Sequence, residues 1–214
     1  MIYDQDVADK TATYLLQINA IKLNPKNPFT WASGWKSPIY CDNRISLSYP
    51  KIRNYLAEKI AEQAQAIYGN DYVVAGVATG AIGIGMLVAN VLEAPFIYVR
   101  PEPKSHGRKN QIEGELQAHK KVLVIEDLIS TGKSSLNAVR ALKNEAVDVL
   151  GMLGLFDYGF ALATDNFKAE NIQLHTLSDY DHLILAAEKS NYIKSEEIAI
   201  LQSWRTAPDE WQPL

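Results

Sequence analysis

Two adjacent carboxylates, Glu126 and Asp127, run straight into Leu128-Ile129-Ser130-Thr131-Gly132-Lys133-Ser134, a turn rich in small and hydroxyl side chains. That turn has the make-up of a phosphate cradle. The start of a helix leaves backbone N–H groups unpaired and carries partial positive charge, so it attracts phosphate. Gly132 lets the backbone approach a ligand closely, while Ser130, Thr131 and Ser134 add hydroxyl donors. The two carboxylates would repel the same phosphate; at a strand end they suit sugar hydroxyls or a bound cation. Acid pair and cradle together point to a sugar phosphate.

Two plainer readings compete. Gly132-Lys133-Ser134 ends like a nucleotide P-loop, but the first glycine of that motif would fall at 127, where Asp127 stands. A carboxylate in a triphosphate cradle repels its ligand. The second is an ordinary strand–turn–helix with Ser130 or Thr131 as N-cap.

Such a site needs a strand before it and a helix after it. Val122 to Ile125 read as a strand buried on both faces, and Leu136, Val139, Ala141 and Leu142 share one helical face. Tyr72 to Leu92 is uncharged and long enough to span a bilayer, but Gly76, Gly80, Gly83 and Gly85 interrupt it. It reads as a buried strand, a glycine turn and a buried helix through Met86, Leu87 and Val91. Val7, Tyr14, Leu15, Ile18 and Ile21 mark an amphipathic helix within 3–21. Residues 28–45 are aromatic, with Pro28 and Pro38 limiting any strand to an edge or hairpin. Ile52, Leu56, Ile60 and Ile67 mark a helix ending near Gly69. Further strands are expected at 96–99, 147–156 and 172–177, and helices near 179–187 and 195–204. The alternation predicts an α/β fold, a parallel central sheet covered by helices, with ligands at the carboxyl edge of the strands. The 77–81 turn and the acid–hydroxyl turn both lie on that edge.

The polar stretch 101–119 holds Lys104, His106, Arg108, Lys109 and His119 beside Gly107 and Gly114. Its length and charge suit a lid that brings cations to a leaving group and excludes water.

At 214 residues with 47% hydrophobic content, the chain suits one domain, and a net charge of −4 argues against a generic nucleic-acid or anionic-membrane surface. The single Cys41 excludes an internal disulfide and fits a reducing compartment; a buried structural thiol is the expectation for it. Met1-Ile-Tyr-Asp has no basic, apolar leader character, so a cytoplasmic protein is expected.

The acid–hydroxyl block resembles the signature of the type I phosphoribosyltransferases, which bind 5-phosphoribosyl-1-pyrophosphate (PRPP). Two more blocks narrow the likeness to the orotate phosphoribosyltransferase family. Phe29-Thr-Trp-Ala-Ser-Gly-Trp-Lys-Ser-Pro-Ile-Tyr40 is similar to its N-terminal substrate segment, and Arg100-Pro-Glu-Pro-Lys-Ser-His-Gly107 to its mobile catalytic loop. The three blocks follow the family's order, and the likeness runs from about residue 10 to about 185.

The resemblance implies one domain over 1–214, with a small hood from about 1–45 and a PRPP-binding core over about 70–178. It implies attack of orotate N1 on ribose C1, giving orotidine 5′-monophosphate and pyrophosphate in pyrimidine biosynthesis. Mg²⁺ is the implied cofactor, held mainly through substrate and water. Lys104, His106 and Asp127 match catalytic positions, with Arg100 as a strand-end cation for PRPP. Glu126 and Asp127 match the pair at the ribose hydroxyls. Leu128, Ile129, Ser130, Thr131, Gly132, Lys133 and Ser134 match the 5′-phosphate loop, and Thr79 and Gly80 the pyrophosphate turn, where some members carry a lysine. Ser130 and Tyr40 match orotate contacts. A homodimer sharing lid residues is implied as well.

Beyond the lysine missing at 79–80, two further positions depart from the pattern. Ala32 stands where some members have a PRPP-binding lysine, and Tyr158 where some have an orotate-binding arginine. Arg44 is the expected replacement cation for orotate, with Lys36 as the alternative. Trp31 and Trp35 are expected to pack in the core, with a place in the wall of the site as the alternative. The rival readings are a phosphoribosyltransferase for a purine or uracil, and a non-catalytic PRPP-sensing regulator. The 29–40 block speaks against the first. The second lacks a helix-turn-helix or basic appendage, and Lys104 with His106 favours turnover.

Overall fold

The structure, a computed structural model, describes residues 1–103, 110–116 and 120–213. Helix α1 (Gln5–Gln17) starts at Asp4, whose carboxylate accepts from the Val7 N–H at 3.0 Å, and it buries Ala8, Ala12, Leu15 and Leu16. Four short strands follow: β1 (Ile21–Leu23), β2 (Phe29–Thr30), β3 (Lys36–Ser37) and β4 (Ile39–Cys41). They pair antiparallel as β1–β4 and β2–β3. A 3₁₀ turn over Asn43–Ser48 leads into α2 (Pro50–Tyr68), which has proline at its start and Gly69 at its end. The remaining elements are β5 (Val73–Val77), α3 (Ala81–Leu92), β6 (Phe96–Val99), β7 (Ile112–Glu113), β8 (Lys121–Ile129), α4 (Lys133–Lys143), β9 (Asp148–Asp157), α5 (Ala161–Ala169), β10 (Leu174–Asp179), α6 (Tyr180–Lys189) and α7 (Ser195–Thr206).

The main sheet has the order β10-β9-β8-β5-β6-β7; all its pairings are parallel except β6–β7. β8 lies inside it between β9 and β5, which is why Val122 to Ile125 are fully buried. Helices cover the sheet, and one apolar cluster extends from Ala12 to Trp204. The α/β class and the parallel sheet expected from the sequence are what the chain forms. Among the described residues no helix is long and apolar enough to cross a membrane.

Several expectations need correction. β8 does not end at Ile125: β9 continues beside it to the Ile129–Asp157 register, so both acids belong to the strand. The turn proper shrinks to Ser130–Gly132. The 101–119 stretch contains β7, anchored by buried Ile112 against Val99. Lys104, His106, Arg108, Lys109 and His119 lie outside the described residues. α5 was not foreseen, because only Ala163 and Phe167 are buried on it. Nor was β1, whose three residues are too few for a period to show.

The short strands and the 3₁₀ turn form a hood over the carboxyl edge. Leu47 packs so tightly on Gly83 that a Cβ there would meet its Cδ1 at 2.7 Å.

Candidate active site

Successive residues of a strand face opposite sides, and the two acids of β8 have different surroundings. Glu126 is only 4% exposed; one of its oxygens accepts from the Ser135 hydroxyl at 2.8 Å and the other from the Asp127 N–H at 3.0 Å. Burial, reinforced by the neighbouring Asp127 charge, pushes its carboxyl well above the usual range. Asp127 is also pushed up by burial. Its carboxylate lies against the Cα of Gly80, in the space a side chain there would fill. Thr79 and Gly80 precede α3, and the Ala78–Thr79 peptide is cis. A cavity of about 440 Å³ is bounded by Thr79, Gly80, Glu126, Asp127, Leu128, Ser134, Cys41, Asp42 and Arg44. The fold therefore gathers residues from three separate sequence blocks.

The hydroxyl turn meets its steric demands through Gly132. Its φ is 76°, and a Cβ there would meet Phe167 Cε2 at 2.8 Å. No side chain caps α4, so neither Ser130 nor Thr131 acts as the N-cap. Leu136 donates to the Gly132 carbonyl at 2.9 Å. Ahead of it, the N–H groups of Thr131 to Ser135 have no acceptor among the described residues. That unpaired row is the anion-attracting end of the helix. Asn166 steadies the turn by donating to the Thr131 carbonyl at 2.9 Å. Thr131, Lys133 and Ser134 also frame an outer hollow of about 410 Å³.

A third cavity, about 370 Å³, adjoins the first and shares Cys41 and Leu128 with it. Its other walls are Thr30, Trp31, Ala32, Tyr40, Ser130 and Tyr158, none of them charged. Trp31 donates its indole N–H to the Ile39 carbonyl at 3.0 Å, and its ring lies 5.3 Å from Tyr158. Trp35 stacks on Trp31 at 6.3 Å but, contrary to expectation, is only half-buried and not part of the apolar core. Behind both Trp31 and Tyr158 stands Trp204 of α7, fully buried, with ring centroids 5.6 and 5.7 Å away. Trp31 thus packs in the core and lines the cavity at once. Trp204 escaped the sequence reading because its helix shows almost no one-sided apolar pattern, with only Leu201 and Trp204 buried.

The two cations considered for orotate are placed differently. Arg44 borders the acid cavity and is forked onto Asp42 through bonds of 2.7 and 2.9 Å, which hold the Asp42 carboxyl below its ordinary range. Lys36 donates to the Thr30 hydroxyl at 2.8 Å, and Thr30 is a wall of the aromatic cavity. Arg100 pairs with Glu113 at 3.4 Å, and its N–H donates to the Gln111 carbonyl at 2.8 Å. Cys41 is half-buried rather than fully buried and lines both cavities; desolvation, with the nearby Asp127 charge, raises its thiol well above its ordinary value. Among the described residues no group of three or more His, Cys, Asp or Glu side chains could hold a metal.

Residues 46–210 match the family described as "Phosphoribosyl transferase domain". The orotate phosphoribosyltransferase of Porphyromonas gingivalis is 50% identical over 200 residues, covering 94% of this chain and 95% of that one. The orotate phosphoribosyltransferase of Listeria innocua is 46% identical over 205 residues, covering 96% and 98%. Among solved structures, orotate phosphoribosyltransferase from Aeropyrum pernix superposes with a TM-score of 0.73 at 27% identity, over 86% of this chain and 99% of that one. Leishmania donovani UMP synthase gives a TM-score of 0.78 at 26% identity, over 92% of this chain and 42% of that chain. With its acid pair, unpaired amide row and aromatic cavity assembled from the matching blocks, the chain belongs to the orotate phosphoribosyltransferase family.

Proposed function

We propose that this chain transfers the 5-phosphoribosyl group of PRPP to orotate, forming orotidine 5′-monophosphate and pyrophosphate in de novo pyrimidine (UMP) biosynthesis. The observation that carries the reading is the pair of adjoining cavities, one acidic and one aromatic, meeting at Cys41 and Leu128.

In this reading the 5′-phosphate sits on the amides of residues 131–135 with the Ser130, Thr131 and Ser134 hydroxyls. The ribose hydroxyls face Asp127, and Glu126 acts through its bonds to Ser135 and the Asp127 N–H. Pyrophosphate lies at Thr79–Gly80, with Arg44 and Arg100 as basic neighbours. The orotate ring lies between Tyr40, Trp31 and Tyr158, close to Ser130. C1 then falls at the shared boundary. The C1–O bond breaks with its electron pair leaving on pyrophosphate, and orotate N1 supplies the pair for the new C–N bond. Asp127 offsets the positive charge that develops on the sugar, while Lys104 and His106 offset the negative charge on the leaving group.

Asp42 and Asp127 offer hard oxygen donors at the acid cavity, a donor set that fits Mg²⁺ held otherwise by substrate and water. When bound, the ion would neutralise pyrophosphate charge. We further propose one domain over 1–214, a homodimer sharing its lids, and a cytoplasmic location, the last supported by the single cysteine.

The test is a spectrophotometric screen of orotate, uracil, hypoxanthine and adenine with PRPP and Mg²⁺. Consumption of orotate alone is expected; preference for another base, or no turnover, overturns the reading. Lys104→Ala should lower kcat strongly with little change in Tm; retained turnover would remove the lid from the mechanism.

A further inference from the structure

β5 pairs with β8 only as far as the Gly76–Ile125 register. Asp127 therefore lies past the last β5 partner, where its carbonyl needs a donor from elsewhere. The donor is the side chain of Asn43, at 2.6 Å from the Asp127 carbonyl oxygen. Asn43 is 2% exposed and belongs to the hood, 84 residues away in sequence.

The amide is held in one orientation. The Cys41 thiol donates to its Oδ1 at 3.2 Å, which turns the NH₂ end toward Asp127. The Ser46 hydroxyl, itself buried, donates to the Asn43 carbonyl at 2.6 Å and closes the 3₁₀ turn around it. The next residue along that turn, Arg44, borders the same acid cavity as Asp127. One buried side chain thus ties down the backbone of the acid and the start of the turn that carries this cation.

We propose that Asn43 is a positioning residue for PRPP, fixing the Asp127 backbone and the Arg44 turn at a set separation across the acid cavity. It touches no reacting atom. Its donor does what a further β5 residue would do in a longer strand, and does it from the hood, so the ribose side keeps its geometry only while the hood is seated. The inference rests on the reading that the acid cavity receives PRPP.

The test uses the full chain with both substrates varied. Asn43→Ala should lower kcat/KM for PRPP by roughly tenfold to a hundredfold, the scale of a small misplacement, and should leave the KM for orotate within about threefold. Asn43→Asp keeps the volume but loses the donor, and should show the same PRPP-selective loss if the alanine variant does not fold. Circular dichroism would establish that each assayed variant is folded. Kinetics unchanged for PRPP, or an equal loss toward both substrates, would overturn the proposal. No orotate-dependent use of PRPP by the unaltered chain would overturn the underlying reading instead.

Discussion

The Cα of Gly80 packs against the carboxylate of Asp127, so the turn before α3 and the end of β8 share one wall of the acid cavity. A methyl group at 80 has nowhere to go unless that carboxylate swings away. Because a short side-chain end can rotate, the fold should tolerate the change while the site does not. Gly80→Ala is expected to leave Tm within a few degrees and to lower kcat/KM for PRPP on the order of a hundredfold. Steady-state kinetics beside a thermal melt would check both halves.

In the proposed reading, Arg44 and Lys36 serve different substrates. Arg44 borders the acid cavity, whereas Lys36 is bonded to a wall residue of the aromatic one. Arg44→Ala should therefore raise the KM for PRPP, and Lys36→Ala the KM for orotate, each with a smaller effect on the other substrate. The reverse pattern would assign Arg44 to orotate, as expected from the sequence.

Trp204 backs the aromatic cavity from behind. It contacts Trp31, Tyr158, Phe160 and Tyr180 and has no exposure. Trp204→Ala should cost about 3–5 kcal/mol, measured by urea unfolding. The milder Trp204→Phe should raise the KM for orotate more than that for PRPP, since the aromatic cavity loses its backing.

Asp157 sits at the end of β9 opposite Asp179 of β10, and burial pushes its carboxyl up to about 6 from an ordinary value of 3.8. Between those values the folded chain holds a proton that the unfolded chain has released, so stability falls as pH rises through the window. Asp157→Asn should flatten the decline in Tm from about pH 4 to pH 6. Raised carboxyls at Glu126 and Asp127 act in the same direction, so part of the slope should survive. An unaltered slope would show that Asp157 does not titrate in that range.

What could be read from the sequence depended on how locally each feature is determined. Val122 to Ile125, the helix over 81–92 and the strand at 96–99 carry their own patterns and stand where those patterns put them. Gly132 and the hydroxyls around it were legible because that turn is built from consecutive residues. The extension of β8 through two carboxylates was not, since only the neighbouring β9 makes a strand of them. Asn43 was hidden for a similar reason. Its role depends on where β5 stops, a fact about another part of the chain. The aromatic wall was half-visible: Tyr40 stood within a recognisable block, but Trp204 arrives from a helix with no pattern to betray it.

The two halves of the site rest on unequal foundations. The acid pair ends an interior strand that β9 still borders where β5 has stopped, while the aromatic wall draws on antiparallel strands of only two and three residues. In the proposed reading, warming or mild denaturant that unseats the short strands should weaken the grip on both substrates together, because Asn43 ties the Asp127 carbonyl to the same hood.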